Sequence, residues 1–299
     1  MKSIKELYRI GTGPSSSHTM GPRKAAEIFL ERHPEATAFK VTLYGSLAAT
    51  GKGHMTNIAI TEVLQPVAPV EIIWEPKIFL PFHPNGMKFV SVDKEGKETD
   101  QWVVFSIGGG ALAEESDGAS SVNTPDVYSM NSMTEILQWC ERTGKSYWEY
   151  VKECEDSDIW DYLQEVWKTM QNAVKRGLEQ EGVLPGPLNL RRKASTYYIR
   201  ASGYKQSLQS RGLVFAYALA VSEENASGGV IVTAPTCGSC GVMPAVLYHL
   251  AKSREFSDTR ILRALATAGL VGNIVKTNAS ISGAEVGCQG EVGVACAMA

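Results

Sequence analysis

Pro14-Ser15-Ser16-Ser17-His18-Thr19 sets three consecutive serines and a histidine just ahead of a stretch that reads as a helix, Lys24–Glu31. Small hydroxyls and unpaired amides at a helix start make an anion site. A carboxylate fits it, with His18 as an added donor, and the same residues also serve as plain N-caps. Ser17 and His18 are neighbours, so in an extended segment their side chains diverge, which argues against a nucleophile–base pair. Gly45-Ser-Leu-Ala-Ala-Thr-Gly-Lys-Gly53 has the look of a phosphate loop. It fails, because five residues separate Gly45 from Gly51 and Gly53 stands where Ser or Thr would hold Mg²⁺. What remains is a Gly-flanked turn with Lys52, His54 and Thr56 at alternate positions, which share one face if that segment is extended. Gly108-Gly109-Gly110 reads as a close-approach loop or a flexible strand exit. Cys237-Gly-Ser-Cys240 reads as a redox or metal pair, or as two small buried apolar residues. A zinc site wants a second pair at matching spacing, and Cys288 and Cys296 are eight apart. Lys276-Thr-Asn278-Ala-Ser280-Ile-Ser282-Gly-Ala-Glu285-Val-Gly-Cys288-Gln289-Gly is dense in polar groups between two apolar helices, where polarity is costly unless it has a role.

The elements that must position these residues change character along the chain. Phe39–Leu43, Val70–Trp74, Phe89–Val92 and Trp102–Ile107 read as strands, Ile58–Leu64 as a helix and Asp93–Gly96 as a turn. This is a small α+β domain. From Ser157 onward Trp160, Leu163, Val166, Trp167, Met170 and Val174 recur at helical spacing, with Gly177 as the expected stop. Gln206–Val221, Met243–Ala251, Arg260–Val275 and Glu285–Ala299 also read as helices, and only Gly229–Thr233 reads as a strand. The fold class is thus an α+β N-terminal domain, residues 1–150, followed by a mostly α-helical domain, residues 151–299. The stretch Val292–Ala299 is apolar on every face and lacks a C-cap. It reads as a chain that stops in mid-helix, or as a helix buried against a partner subunit.

The 299 residues suit two domains, and the net charge of -3 shows no basic surplus for nucleic acid. No apolar run reaches the roughly 18 residues of a membrane span, and the N-terminus lacks a signal-peptide core. A cytoplasmic protein is expected, in which six cysteines are not structural disulfides.

The segments GTGPSSSHTMGP, LYGSLAATGKGHMT, FSIGGG, EGVLPGPL, EENASGG, TAPTCGSCGVMPAVL and NASISGAEVGCQGEVGVAC follow one another from Met1 to Ala299. Together they make the chain resemble the iron–sulfur L-serine dehydratases (L-serine ammonia-lyases) of the single-chain bacterial form. The resemblance implies that the helical domain is catalytic and holds a [4Fe–4S] cluster on three cysteines, with one iron open to substrate and no pyridoxal phosphate. Cys288, in the GCQ segment, is the ligand it identifies here. The other two would follow Ala299, so residues 1–299 alone are expected to be inactive. Cys237, Cys240 and Cys296 do not match ligand positions. The implied reaction is β-elimination of L-serine to pyruvate and ammonia. On this reading His54, Lys276 and Asn278 are catalytic, with His54 polarising the substrate carboxylate or acting as base. Ser15, Ser16, Ser17, His18, Thr19 and Ser280 bind the substrate. Asn57 departs from the family, which usually has Asp there. The partners expected are L-serine and a second copy in a homodimer, with no nucleic acid and no membrane. The rival readings are a pyridoxal-phosphate dehydratase, which would need a Schiff-base lysine and a phosphate cup, and a non-enzymatic amino-acid-binding module.

Overall fold

The computed structural model describes residues 1–115, 125–281 and 283–299. An α+β region is followed by a mostly helical part, as the periodicities predict. The chain forms two compact units, one of Pro14–Thr124 and one joining Met1–Gly13 to Pro125–Ala299. The sequence reading places the division at residue 150 instead. That residue lies inside helix α5 below, whose amphipathic face packs against other helices of the second unit.

The first thirteen residues form a 3-10 turn, Ile4–Glu6, and strand β1, Ile10–Thr12. In the Pro14–Thr124 unit, a π-helical turn at Ser16–Met20 runs directly into α1, Gly21–Arg32. There follow β2 (Ala38–Tyr44), α2 (Gly45–Thr50), α3 (Thr56–Leu64), β3 (Val70–Glu75), β4 (Gly86–Val92), β5 (Glu98–Gly108) and β6 (Ala111–Ala113). The sheet order is β3-β2-β4-β5-β6, with only β2 and β3 parallel. A parallel pair needs a crossover, and α2 with α3 supplies it. Helix and sheet bury Phe29, Phe39, Val41, Ile60, Phe89 and Val104 between them. The segment read as a Gly-flanked turn begins as helix α2 and becomes a turn only from Gly51 to Met55. Gly45 begins it at φ +49, where a Cβ would lie 2.6 Å from the Pro84 carbonyl oxygen. Gly108, Gly109 and Gly110, all at positive φ, turn β5 tightly into β6 rather than opening a loop.

The other unit contains α4 (Met133–Thr143), α5 (Tyr147–Cys154), α6 (Ile159–Glu179), α7 (Ala194–Ser202), α8 (Gln206–Ala226), β7 (Val230–Val232), α9 (Val242–Ser253), α10 (Asp258–Asn278) and α11 (Gly283–Met298). β1 pairs antiparallel with β7, Ile10 opposite Val232. The apolar stripe of α6 is buried as its spacing predicts. Gly177 does not stop that helix. A Cβ there would stand 2.1 Å from the Ala220 carbonyl oxygen, so glycine lets α6 and α8 touch backbone to backbone. The EENASGG segment ends α8 and is a structural knot. Buried Glu223 accepts from the amides of Lys193 and Ala194 at 2.6 and 3.3 Å, which starts α7. Buried Glu224 binds Arg176 at 3.0 Å and Arg192 at 3.2 Å. α11 is broken by non-helical backbone at Gly287. Its last turns are half covered: Val294, Ala295 and Met298 are buried, whereas Val292 and Cys296 are exposed.

Candidate active site

Ser15 caps the helical run that starts at Ser16. Its backbone is extended, its Oγ accepts from the His18 amide at 3.1 Å, and its carbonyl accepts from Thr19 and Met20. The first amides of a helix have no intrahelical partner and carry the positive end of its dipole. The capped start is the geometry that the expected anion site would use. It holds together because Gly21 admits the Ser106 hydroxyl, 2.2 Å from where a Cβ would be. This gives the serine of FSIGGG a packing role.

The π-turn changes what Ser17 and His18 do. The segment is helical, not extended, and Ser17 Oγ lies 2.9 Å from His18 Nδ1. The divergence expected of adjacent residues is corrected by this curvature. His18 Nε2 meets Ser46 Oγ at 3.1 Å, so one buried imidazole bridges two hydroxyls. Burial, and then the neighbouring His54 ring, lower the His18 pKa to about 4. At neutral pH His18 is an uncharged ring rather than a cation, and its tautomer sets which hydroxyl donates.

His54 sits half-buried with its ring centroid 4.7 Å from that of His18. Its Nδ1 is 3.0 Å from the Thr50 carbonyl oxygen. A carbonyl only accepts, so Nδ1 carries the hydrogen and Nε2 keeps the lone pair in the neutral ring. Thr19 Oγ1 donates to the His54 carbonyl at 2.6 Å, and Thr56 Oγ1 donates to the His18 carbonyl. Lys52, His54 and Thr56 do not share a face. The segment is a turn in which Met55 adopts φ 57, leaving Lys52 exposed and Thr56 fully buried.

Sequence reasoning missed two members of this cluster. Ser46 lies in the segment set aside as a failed phosphate loop. His83 stands close enough to depress His18 further, and its Nδ1 accepts from the Asn85 amide at 3.1 Å. The signal for His83 is its place between prolines, in Pro81-Phe-His-Pro-Asn85.

The remaining predicted residues belong to the other unit. Lys276 Nζ donates to the Glu6 carbonyl at 3.0 Å, and burial lowers its pKa to about 8. Asn278 Nδ2 donates to the carbonyls of Asn131 and Ile274 at 2.7 and 2.9 Å. Two positions apart on α10, the pair is turned by about 200° and does not line one surface. Ser280 is half-buried just after that helix, and Cys288 is exposed on α11 beyond the Gly287 break. Glu291 is a further residue missed, its carboxylate carbon 2.8 Å from where a Gly283 Cβ would be and an oxygen as close to that of Gly238. Cys237 and Cys240 are buried. Burial raises Cys240 to about 12 and Cys237 well above the usual thiol value, so both stay protonated at neutral pH. Among the described residues, no group of three or more His, Cys, Asp or Glu could hold a metal ion.

Known proteins match the chain over both units. The serine dehydratase beta chain family matches residues 3–73, and the serine dehydratase alpha chain family matches residues 84–299. The L-serine dehydratase of Haemophilus influenzae is 37% identical, over 100% of this chain and 77% of that protein. L-serine dehydratase 1 of Escherichia coli is 38% identical over 100% and 77%, and the L-serine dehydratase of Streptomyces coelicolor 36% over 99% and 76%.

Proposed function

The chain belongs to the serine dehydratase family, and we propose that it is a lyase that removes ammonia from L-serine by β-elimination. The Cα proton and the hydroxyl leave, and the aminoacrylate so formed hydrolyses to pyruvate and ammonia. The observation that carries this reading is the capped helix start at Ser15–Thr19, with neutral His18 and the free Nε2 of His54 beside it. Helix-start amides and the hydroxyls of Ser15, Ser16 and Ser17 suit the substrate carboxylate. Thr19 fixes the His54 backbone, and His54 Nε2 has the lone pair a general base needs. Lys276, Asn278 and Ser280 are proposed for the same reaction from the family resemblance alone. So is the view that Asn57, in place of the usual Asp, weakens turnover.

The cofactor we infer is a [4Fe–4S] cluster rather than pyridoxal phosphate, with Cys288 as the ligand this chain provides. An iron of such a cluster would act as Lewis acid toward the leaving hydroxyl. The described residues do not fit the cluster by themselves. Clusters are held by several cysteine thiolates, and Cys288 stands without two further ligands among the described residues. Residues 1–299 alone are therefore expected not to turn over.

We place the protein in the cytoplasm, as a homodimer without nucleic-acid or membrane partners. Among the described residues no helix is long and apolar enough to cross a membrane, and no disulfide joins the cysteines. The dimer is supported by a stripe on and before α8. Tyr204, Leu208, Arg211 and Phe215 recur at helical spacing, and Tyr204, Leu208 and Phe215 are 49%, 56% and 56% exposed. Exposed apolar patches rimmed by charge mark association sites. Residues 182–222 carry six Lys or Arg and no Asp or Glu, a local surplus that the whole-chain charge conceals.

Titration calorimetry with L-serine tests the main reading without requiring turnover. Binding of L-serine, at least tenfold weakened in Ser17→Ala, is expected. Equal binding of D-serine, or none of either, would remove it. Analytical ultracentrifugation of the intact chain and of Leu208→Asp tests the dimer.

A further inference from the structure

A cleft of about 310 Å³ opens on the helical unit where α5, α6 and α10 meet. Its walls are aromatic and aliphatic. Trp148 of α5 and Trp160 of α6 meet edge to face, 6.2 Å between centroids and 70° between planes, and Leu262 of α10 joins them. Two cations, Arg263 and Lys152, join these walls. The Arg263 guanidinium carbon lies 4.2 Å from the Trp148 ring centroid, a cation–π contact, and Lys152 also lines the cleft. Thr259 lies one helical turn before Arg263, so its hydroxyl shares that side of α10.

Neither cation is in an ion pair among the described residues. Glu149 is the acid whose carboxyl feels the Arg263 charge, after its bonds to Ser146 and the charge of Lys145. Its carboxylate is already committed to the amide and hydroxyl of Ser146, at 2.9 and 2.7 Å, as the cap of α5. A guanidinium over an indole face gives no hydrogen bond to the ring, so its N–H donors stay available to a planar anion. The volume sits at the lower end of small-molecule sites, and apolar walls with a few convergent polar groups are what such sites share.

We propose that this cleft binds a small carboxylate carried on a flat apolar ring, with the ring against Trp148, Trp160 and Leu262 and the carboxylate on Arg263 and Lys152. Its lining includes none of the residues assigned to serine elimination, and its failure leaves that reading untouched. A free phosphate would satisfy the fork but not the walls. A neutral ring would satisfy the walls but leave both cations unpaired. This difference defines the test.

Isothermal titration of the intact chain with indole-3-acetate, indole and inorganic phosphate reads the two contributions separately. Indole-3-acetate is expected to bind at least tenfold more tightly than either of the others. Arg263→Ala should weaken it about tenfold, with Arg263→Lys recovering only part, because an ammonium lacks the fork. Arg263 is exposed, so folding is not at risk, and Lys152→Ala gives a second, independent loss. Indole binding as tightly as indole-3-acetate, phosphate doing so, no binding by any probe, or an unchanged affinity in both alanine variants would each overturn the proposal.

Discussion

Acid is expected to destabilise the protein through His18, and the structure gives the size of the effect. The unfolded imidazole takes its proton near 6.5, whereas in the folded protein burial and His54 hold that event down to about 4. Between these values the unfolded chain binds more protons. Stability is therefore flat above about pH 6.5, falls as pH drops toward 4, and the contribution is gone below that. At ~1.4 kcal/mol per pH unit, the full difference is worth ~3 kcal/mol, of which ~2 kcal/mol is lost by about pH 5. His18→Gln keeps a neutral polar group between Ser17 and Ser46 but cannot titrate. Urea unfolding of both proteins at about pH 7.5 and pH 5 measures the effect as a change in midpoint at constant slope. The natural protein should lose ~2 kcal/mol more than the variant on acidification. His54→Ala should shrink that excess, since one of the terms depressing His18 is then gone. An equal loss in the natural protein and His18→Gln would refute the argument.

Cys288 and Cys296 should be alkylated by iodoacetamide in the folded protein while Cys237 and Cys240 are spared, as peptide mass spectrometry reads. Anaerobic reconstitution of residues 1–299 with iron and sulfide should give no stoichiometric cluster, and no pyruvate from L-serine. A brown, active product would overturn the ligand set proposed above. Glu224→Ala leaves Arg176 and the buried Arg192 without their carboxylate, and should cost ~3 kcal/mol by urea unfolding. Gly177→Ala should destabilise by ~1–2 kcal/mol despite alanine's better helix propensity, because α6 and α8 must separate to admit the methyl.

The helices and strands with a clear period lie where the sequence puts them, because burying one face fixes both the period and the element. What was not legible depended on partners distant in the chain. β1 is only Ile10-Gly-Thr12, too short for any period, and exists because β7 lies beside it. Gly177 reads as a stop until Ala220 is seen against it. The capped helix start at Ser15–Thr19 was legible from hydroxyls ahead of a helix. The Ser17–His18–Ser46 bridge was not, since it needs a π-turn that no residue spacing announces. His83 reaches the cluster from a loop, and nothing local to it points to His18. Lys276 and Asn278 are close in sequence, but they sit about 200° apart around α10 and bond to different carbonyls.

The pairing of β1 with β7 sets an order of events during synthesis. Ile10 leaves the ribosome early, and its partner Val232 comes more than 200 residues later. In the interval the whole Pro14–Thr124 unit emerges, with both ends of its sheet and its own core. At ~5–20 residues per second, the roughly 100 residues between that unit and β7 take ~5–20 s to appear. The first segment of the helical unit thus waits, unpaired and apolar at Ile4, Leu7 and Tyr8, beside a neighbour that can already be folded. A nascent chain stalled before β7 should display those three residues to chaperones, and one stalled after α10 should hide them.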